Sequence, residues 1–167
     1  MKYLPFENIT FKTILKEGEI INRLAGLIEP ERIFRSGLFG SGSTKTYEGQ
    51  IDELTFNIKR IIGYHNSFLP RINGTIQRDF DGTTIEIKMR MSIFVTIFIF
   101  IWCSGVGLGC VAVLSHLINY KTFHPATLIP FGMLIFMYAL TVGGFKYESS
   151  KAKKDLQTLF EAEMVVQ

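Results

Sequence analysis

The sequence predicts an α+β fold: a small antiparallel sheet with an N-terminal helix, then a two-helix transmembrane hairpin and a C-terminal amphipathic helix. Three observations carry this. Period-two alternation recurs through the first 90 residues. Two uncharged apolar runs follow it, and a short charged segment with helical spacing closes the chain.

The polar part, residues 1–90, is read in chain order. Ile9 and Phe11 alternate with Thr10 and Lys12, which predicts a first strand. A helix is expected from Glu17 to Glu29, with Ile20, Ile21, Leu24, Leu27 and Ile28 on one stripe. Glu17 and Glu19 suit its positive end, and Pro30 stops it. After the Gly- and Ser-rich run SGLFGSGST, alternation resumes over Tyr47–Asp52, Leu54–Lys59, Arg71–Gln77 and Ile85–Arg90. One packed face and one wet face are the mark of an antiparallel sheet. Strand, helix, antiparallel strands and final helix give a helix-grip-like order, with a pleckstrin-homology-like barrel as the alternative. For the former the sheet is short of a strand.

From Ser92 to Ile118 no Asp, Glu, Lys or Arg occurs, and fifteen residues are Ile, Leu, Phe or Val. About 20 apolar residues suffice to span a bilayer. The second run, Ala126 to Phe145, is also uncharged, with Pro130 near its start, where a missing N–H costs least. The seven residues NYKTFHP between them allow only a tight hairpin. The hairpin region is residues 91–146, with helices at about 92–118 and 126–145. Lys88, Arg90, Lys146, Lys151, Lys153 and Lys154 flank it on one side, and Lys121 alone stands in the loop. The positive-inside rule then puts both termini in the cytoplasm. Gly105 and Gly109 form a G-x-x-x-G pair, and Ala139 and Gly143 repeat the small-residue spacing. Such faces pack the hairpin on itself or build an oligomer. His116 and His124 fall at or beyond the far end of the first helix, where an interfacial place is expected.

Residues 147–167 are expected to form a cytoplasmic helix capped by Ser149 or Ser150 and reaching about Met164. Its early lysines oppose the macrodipole and are better explained by topology and anionic head groups. Its apolar face, Ala152, Leu156, Leu159 and Phe160, docks on the sheet or lies on the membrane.

The stretch FNIKRIIGYHNSFLPRINGTI, followed by GTTIEIKMR and an apolar run with Trp102, resembles short, uncharacterised membrane proteins of bacteria. The resemblance covers roughly residues 47 to 145. It implies an integral protein of the bacterial inner membrane and no particular activity.

Chemistry is sparse. The net charge of +3 on 167 residues is too low for a nucleic-acid binder, so no nucleic-acid partner is expected. Cys103 and Cys110 both lie in the apolar run, which does not describe a disulfide framework. Gly37 and Gly42 have phosphate-loop spacing, but Ser43 stands where Lys is required and Lys45 comes two residues late. Arg60 and His65 have an R-x4-H spacing without a helical context. Asp79 and Asp81 flank a Gly turn and read as turn chemistry. No metal or cofactor is implied. The least ordinary stretch runs from Arg60 to Pro70; Arg60, Tyr64, His65 and Asn66 in it, with Arg71 just after it, are the candidate ligand- or partner-binding residues. A bent connection with local hydrogen bonds is the plainer reading. The expectation is therefore a non-catalytic membrane protein whose polar domain binds a partner or small ligand at the bilayer. An oligomeric effector or pore subunit is the alternative, and a lipid enzyme using Arg60, His65 and Arg71 is a third.

Overall fold

The computed structural model describes residues 4–30, 45–120 and 124–165. The Gly-Ser-rich run with Gly37, Gly42 and Ser43 lies outside them. The chain runs β1 (Phe6–Thr13), α1 (Glu17–Leu27), β2 (Ile28–Glu29), β3 (Tyr47–Asp52), β4 (Thr55–Arg60), β5 (Arg71–Asp79) and β6 (Gly82–Arg90). Then come α2 (Ile93–Tyr120), a 3-10 turn (Pro125–Leu128), α3 (Ile129–Phe160) and β7 (Glu163–Val165).

The strands form a seven-stranded sheet in the order β2-β3-β4-β5-β6-β1-β7. All pairs are antiparallel except β2 with β3. The α+β class is as the alternation predicts. The sheet is wider than expected because β2 and β7, two and three residues long, are too short to show an alternation. The first helix accordingly stops at Leu27, and Ile28–Glu29 turns into strand.

One sheet face carries the core. Ile9, Phe11, Phe56, Ile58, Ile72, Ile76, Ile85, Ile87 and Met89 are buried on it, against Ile20 and Leu24 of α1. Gly74 faces Phe56 across β5 and β4, and the Phe56 ring occupies the space a Cβ would need. The β5–β6 hairpin closes through Asp79, whose carboxylate accepts the Phe80 N–H at 2.9 Å and the Thr84 hydroxyl at 3.2 Å. That is the turn chemistry expected of it.

The C-terminal segment departs from expectation. It is no separate capped helix: α3 runs unbroken through Ser149 and Ser150 for 32 residues. Its distal half buries Phe145, Glu148, Ser149, Ala152, Leu156 and Phe160. These recur at helical spacing and continue through the two serines, so docking on the sheet keeps the turn helical. The helix ends at Phe160, four residues before Met164, which lies in β7. Glu161 adopts the left-handed conformation, and its N–H and that of Ala162 close the end on the Thr158 and Gln157 carbonyls. Thr13 Oγ1 donates to the Phe160 carbonyl at 2.7 Å, and Arg23 Nη1 to that of Leu159 at 2.9 Å.

Two helical stretches, Ile93–Tyr120 and Pro125–Phe160, are long and apolar enough to cross a membrane, with mean hydropathy 2.4 and 1.9 over their most apolar 18 residues. Only 6% and 11% of their most apolar stretches are buried. Among the described residues of the apolar hairpin, Cys110, Thr141 and Phe145 are buried. The small residues are not what packs it. A Cβ added at Gly105, Gly109 or Gly143 would meet no atom within 4 Å, and Ala139 is exposed. The expectation that these faces pack the hairpin on itself is therefore corrected; the helices approach each other along other faces.

Candidate functional site

Where α3 leaves its apolar half, it is gripped by the sheet from both flanks. On one flank Lys146 and Lys153, seven residues apart and so on one face of the helix, reach Glu7 of β1 at 2.6 and 2.7 Å. On the other flank Glu148 and Asp155, again seven apart, hold Arg60 at the end of β4. Arg60 Nη1 lies 3.2 Å from Glu148 Oε2. Its Nε lies 3.2 Å from Asp155 Oδ2, without hydrogen-bond alignment. Tyr47, opposite Arg60 on β3, donates its hydroxyl to Asp155 at 3.3 Å.

The electrostatics follow from this geometry. Burial raises the Glu7 carboxyl, but the hydrogen bonds from Lys146 and Lys153 outweigh it and hold the pKa below the ordinary carboxylate value. Burial, reinforced by the Asp155 charge, pushes the Tyr47 phenol up. Burial works against the Arg60 charge, yet Asp155, Tyr47 and Glu148 together raise its pKa. Glu148 is fully buried, so these partners replace the water its carboxyl oxygens have lost.

The connection from β4 to β5 is strapped over the same helix. Tyr64 donates its hydroxyl to Glu148 Oε1, and this bond raises the phenol pKa. Asn66 Nδ2 donates to the Gly144 carbonyl at 3.4 Å, while its Oδ1 accepts the Phe68 N–H at 3.0 Å. Phe68 packs where a side chain at position 144 would stand. Arg60, Tyr64 and Asn66 are thus brought together, as a bent connection fastened to α3. His65 is exposed and Arg71 lies on the opposite face of the sheet. Arg60, His65 and Arg71 do not converge on one place.

Beside the Glu7 clamp lies an open cleft of about 620 Å³. It forms because β7 pairs with β1 only over Thr10–Lys12, which leaves the Phe6–Ile9 stretch of that edge uncovered by β7. Phe6, Ile9, Met164 and Val165 give it apolar walls; Lys88, Lys146, Ser150 and Lys153 give it polar ones. Its volume falls in the range of small-ligand sites.

Several of these residues escape reasoning from sequence. Glu7, Gly144, Glu148 and Asp155 form no motif, although the spacing of 146 with 153 and of 148 with 155 is written in the chain. Lys153, one of the lysines expected to face head groups, is engaged by Glu7 together with Lys146. Lys151 lies over the Tyr147 ring at 4.0 Å. Lys45 donates to the Ala25 and Ile28 carbonyls at the end of α1, the place of a C-terminal helix cap. His116 stacks near Tyr120, ring centroids 4.7 Å apart. Among the described residues no group of three His, Cys, Asp or Glu side chains is placed to hold a metal ion.

No protein-family model, curated protein or solved structure matches the chain.

Proposed function

We propose that the protein is an integral membrane protein, of the bacterial inner membrane, whose sheet domain binds a partner or small ligand at the bilayer surface without catalysis. The observation that carries this is α3. One helix supplies both an exposed apolar half and the buried center of the sheet domain. Large apolar side chains exposed around both hairpin helices need lipid to cover them. The domain is then held where the helix emerges, and the cleft beside Lys146 opens next to the head groups. The pairing of β1 with β7 supports both ends of the chain on one side of the membrane. The excess of lysine and arginine at the hairpin base supports the cytoplasmic side.

Native mass spectrometry of the full chain, released gently from membranes, tests the reading. A retained adduct that is lost in Ser150→Trp, which fills the cleft, supports it. A monodisperse protein in detergent-free buffer overturns the membrane part. A chain that carries no adduct from any membrane preparation overturns the binding part.

One observation favours a second reading, an oligomeric membrane effector or pore subunit. Gly105, Gly109, Ala139 and Gly143 leave bare helix surface that the hairpin does not use. A defined oligomer that dissociates in Gly105→Leu supports it, and a monomer counts against it.

A further inference from the structure

The face of the sheet turned away from the core is ordered by charge along the strands. Strand register places Phe6, Arg90, Arg71, Lys59 and Glu48 side by side in one row, at the end where β6 leads into α2. The next row is Asn8, Lys88, Asn73, Asn57 and Gln50. The third is Thr10, Glu86, Thr75, Thr55 and Asp52. Formal charge therefore falls from net +2 (three cations, one carboxylate) through +1 to −2 (two carboxylates) on leaving the hairpin.

Like charges directly opposite on neighbouring strands destabilise a sheet. Arg90 beside Arg71, and Arg71 beside Lys59, are such neighbours. Lys59 is partly offset by Glu48 at 3.0 Å. Arg71, Lys88 and Arg90 are exposed. Arg90 stands three positions before Ile93, where α2 begins.

We infer that this face docks, through Arg71, Lys88 and Arg90, on the anionic phospholipid head groups of the bilayer that the hairpin crosses. The inference rests on the membrane reading above and adds the lipid class. Distance decides the balance of charges. A strand rises about 3.3 Å per residue, so Lys88 lies about 7 Å and Glu86 about 13 Å beyond the Arg90 row. Screening acts over about 8 Å at physiological ionic strength. With the strands rising from a surface at the hairpin base, the basic rows fall within that distance of it and the acidic row beyond it. Attraction is felt at short range and the repulsion is screened. The amides of the middle row add neutral donors and acceptors for phosphate and glycerol oxygens.

The test uses the full chain in nanodiscs of phosphatidylcholine alone or with phosphatidylglycerol. A fluorophore is placed at Asn73→Cys, with Cys103 and Cys110 changed to Ala, and is quenched by head-group spin-labelled lipid. Stronger quenching in the anionic discs is expected, with loss of the difference at raised salt and in Arg71→Gln/Arg90→Gln. Arg71→Lys should retain it, which separates loss of charge from loss of fold. Equal quenching in both lipid mixtures, or a difference that survives the double Gln variant, overturns the inference. The hairpin holds the chain in both discs alike, so this result is read separately from occupancy of the cleft. Failure of the membrane reading itself shows instead as a chain that does not incorporate into discs.

Discussion

Arg60, at the end of β4, lies 3.2 Å from the fully buried carboxylate of Glu148 on α3. This joins the sheet to the helix that continues into the apolar hairpin. A buried ion pair contributes little by existing, but removing one partner strands the other charge. Arg60→Ala should therefore destabilise the domain by about 3 kcal/mol. Arg60→Met/Glu148→Met, which removes both charges, should recover most of that. Thermal unfolding of the three proteins in one detergent checks this. Equal losses in single and double variants would rule out a stranded charge.

Glu7 makes a prediction in pH. Its folded pKa is lowered, chiefly because the bonds from Lys146 and Lys153 overcome burial. A depressed carboxylate contributes stability that is present above its unfolded value of 4.5 and is lost as pH falls through the folded one. Melting temperature should therefore fall on acidification below that value, and Glu7→Gln should flatten the fall. At neutral pH Glu7→Gln should melt lower than the parent, because two lysines then share an amide. Calorimetry across the acid range reads both. A parallel acid slope in the variant would assign the loss to other carboxylates.

Gly74 and Phe56 face one another across β5 and β4, with the ring over the glycine. Any Cβ at position 74 would meet ring carbons in a closed core. Overpacking of this kind costs about 1–3 kcal/mol. Gly74→Ala should lower stability by that amount, and Phe56→Leu in the same chain should return part of it. A denaturant series on the four proteins of the cycle measures the coupling.

The fold was readable wherever one physical rule acted alone. Alternation placed β1 and β3–β6, and unbroken apolarity placed the hairpin helices. Rules in competition misled. Ser149 and Ser150 are good cap residues, and taken alone they argue for a helix start. The stripe of Phe145, Ala152, Leu156 and Phe160 passes straight through them, and burial against the sheet overrides the local preference. The candidate site was half legible. The stretch from Arg60 to Asn66 stood out as unusual, but its partners Glu148 and Gly144 lie far along the chain. Glu7 and its lysines are separated by 139 positions or more, and no spacing within one segment can announce that.

The continuity of α3 makes the last prediction, at the residue where the two readings of the sequence disagree. A serine cap is worth about 1 kcal/mol, so Ser150→Ala would cost that much if a helix began there. In an unbroken helix Ser150 is an exposed interior residue, and alanine has the higher helix propensity by up to about 0.5 kcal/mol. Ser150→Ala should therefore leave stability unchanged or raise it slightly. Ser149→Pro removes an interior N–H and crowds the preceding turn, at about 3 kcal/mol or more. It should separate the hairpin from the sheet domain without expelling the hairpin from lipid. Limited proteolysis in nanodiscs reads this as new cleavage near position 149, with the apolar fragment still in the disc. Destabilisation by Ser150→Ala would instead restore the cap and a break in the helix.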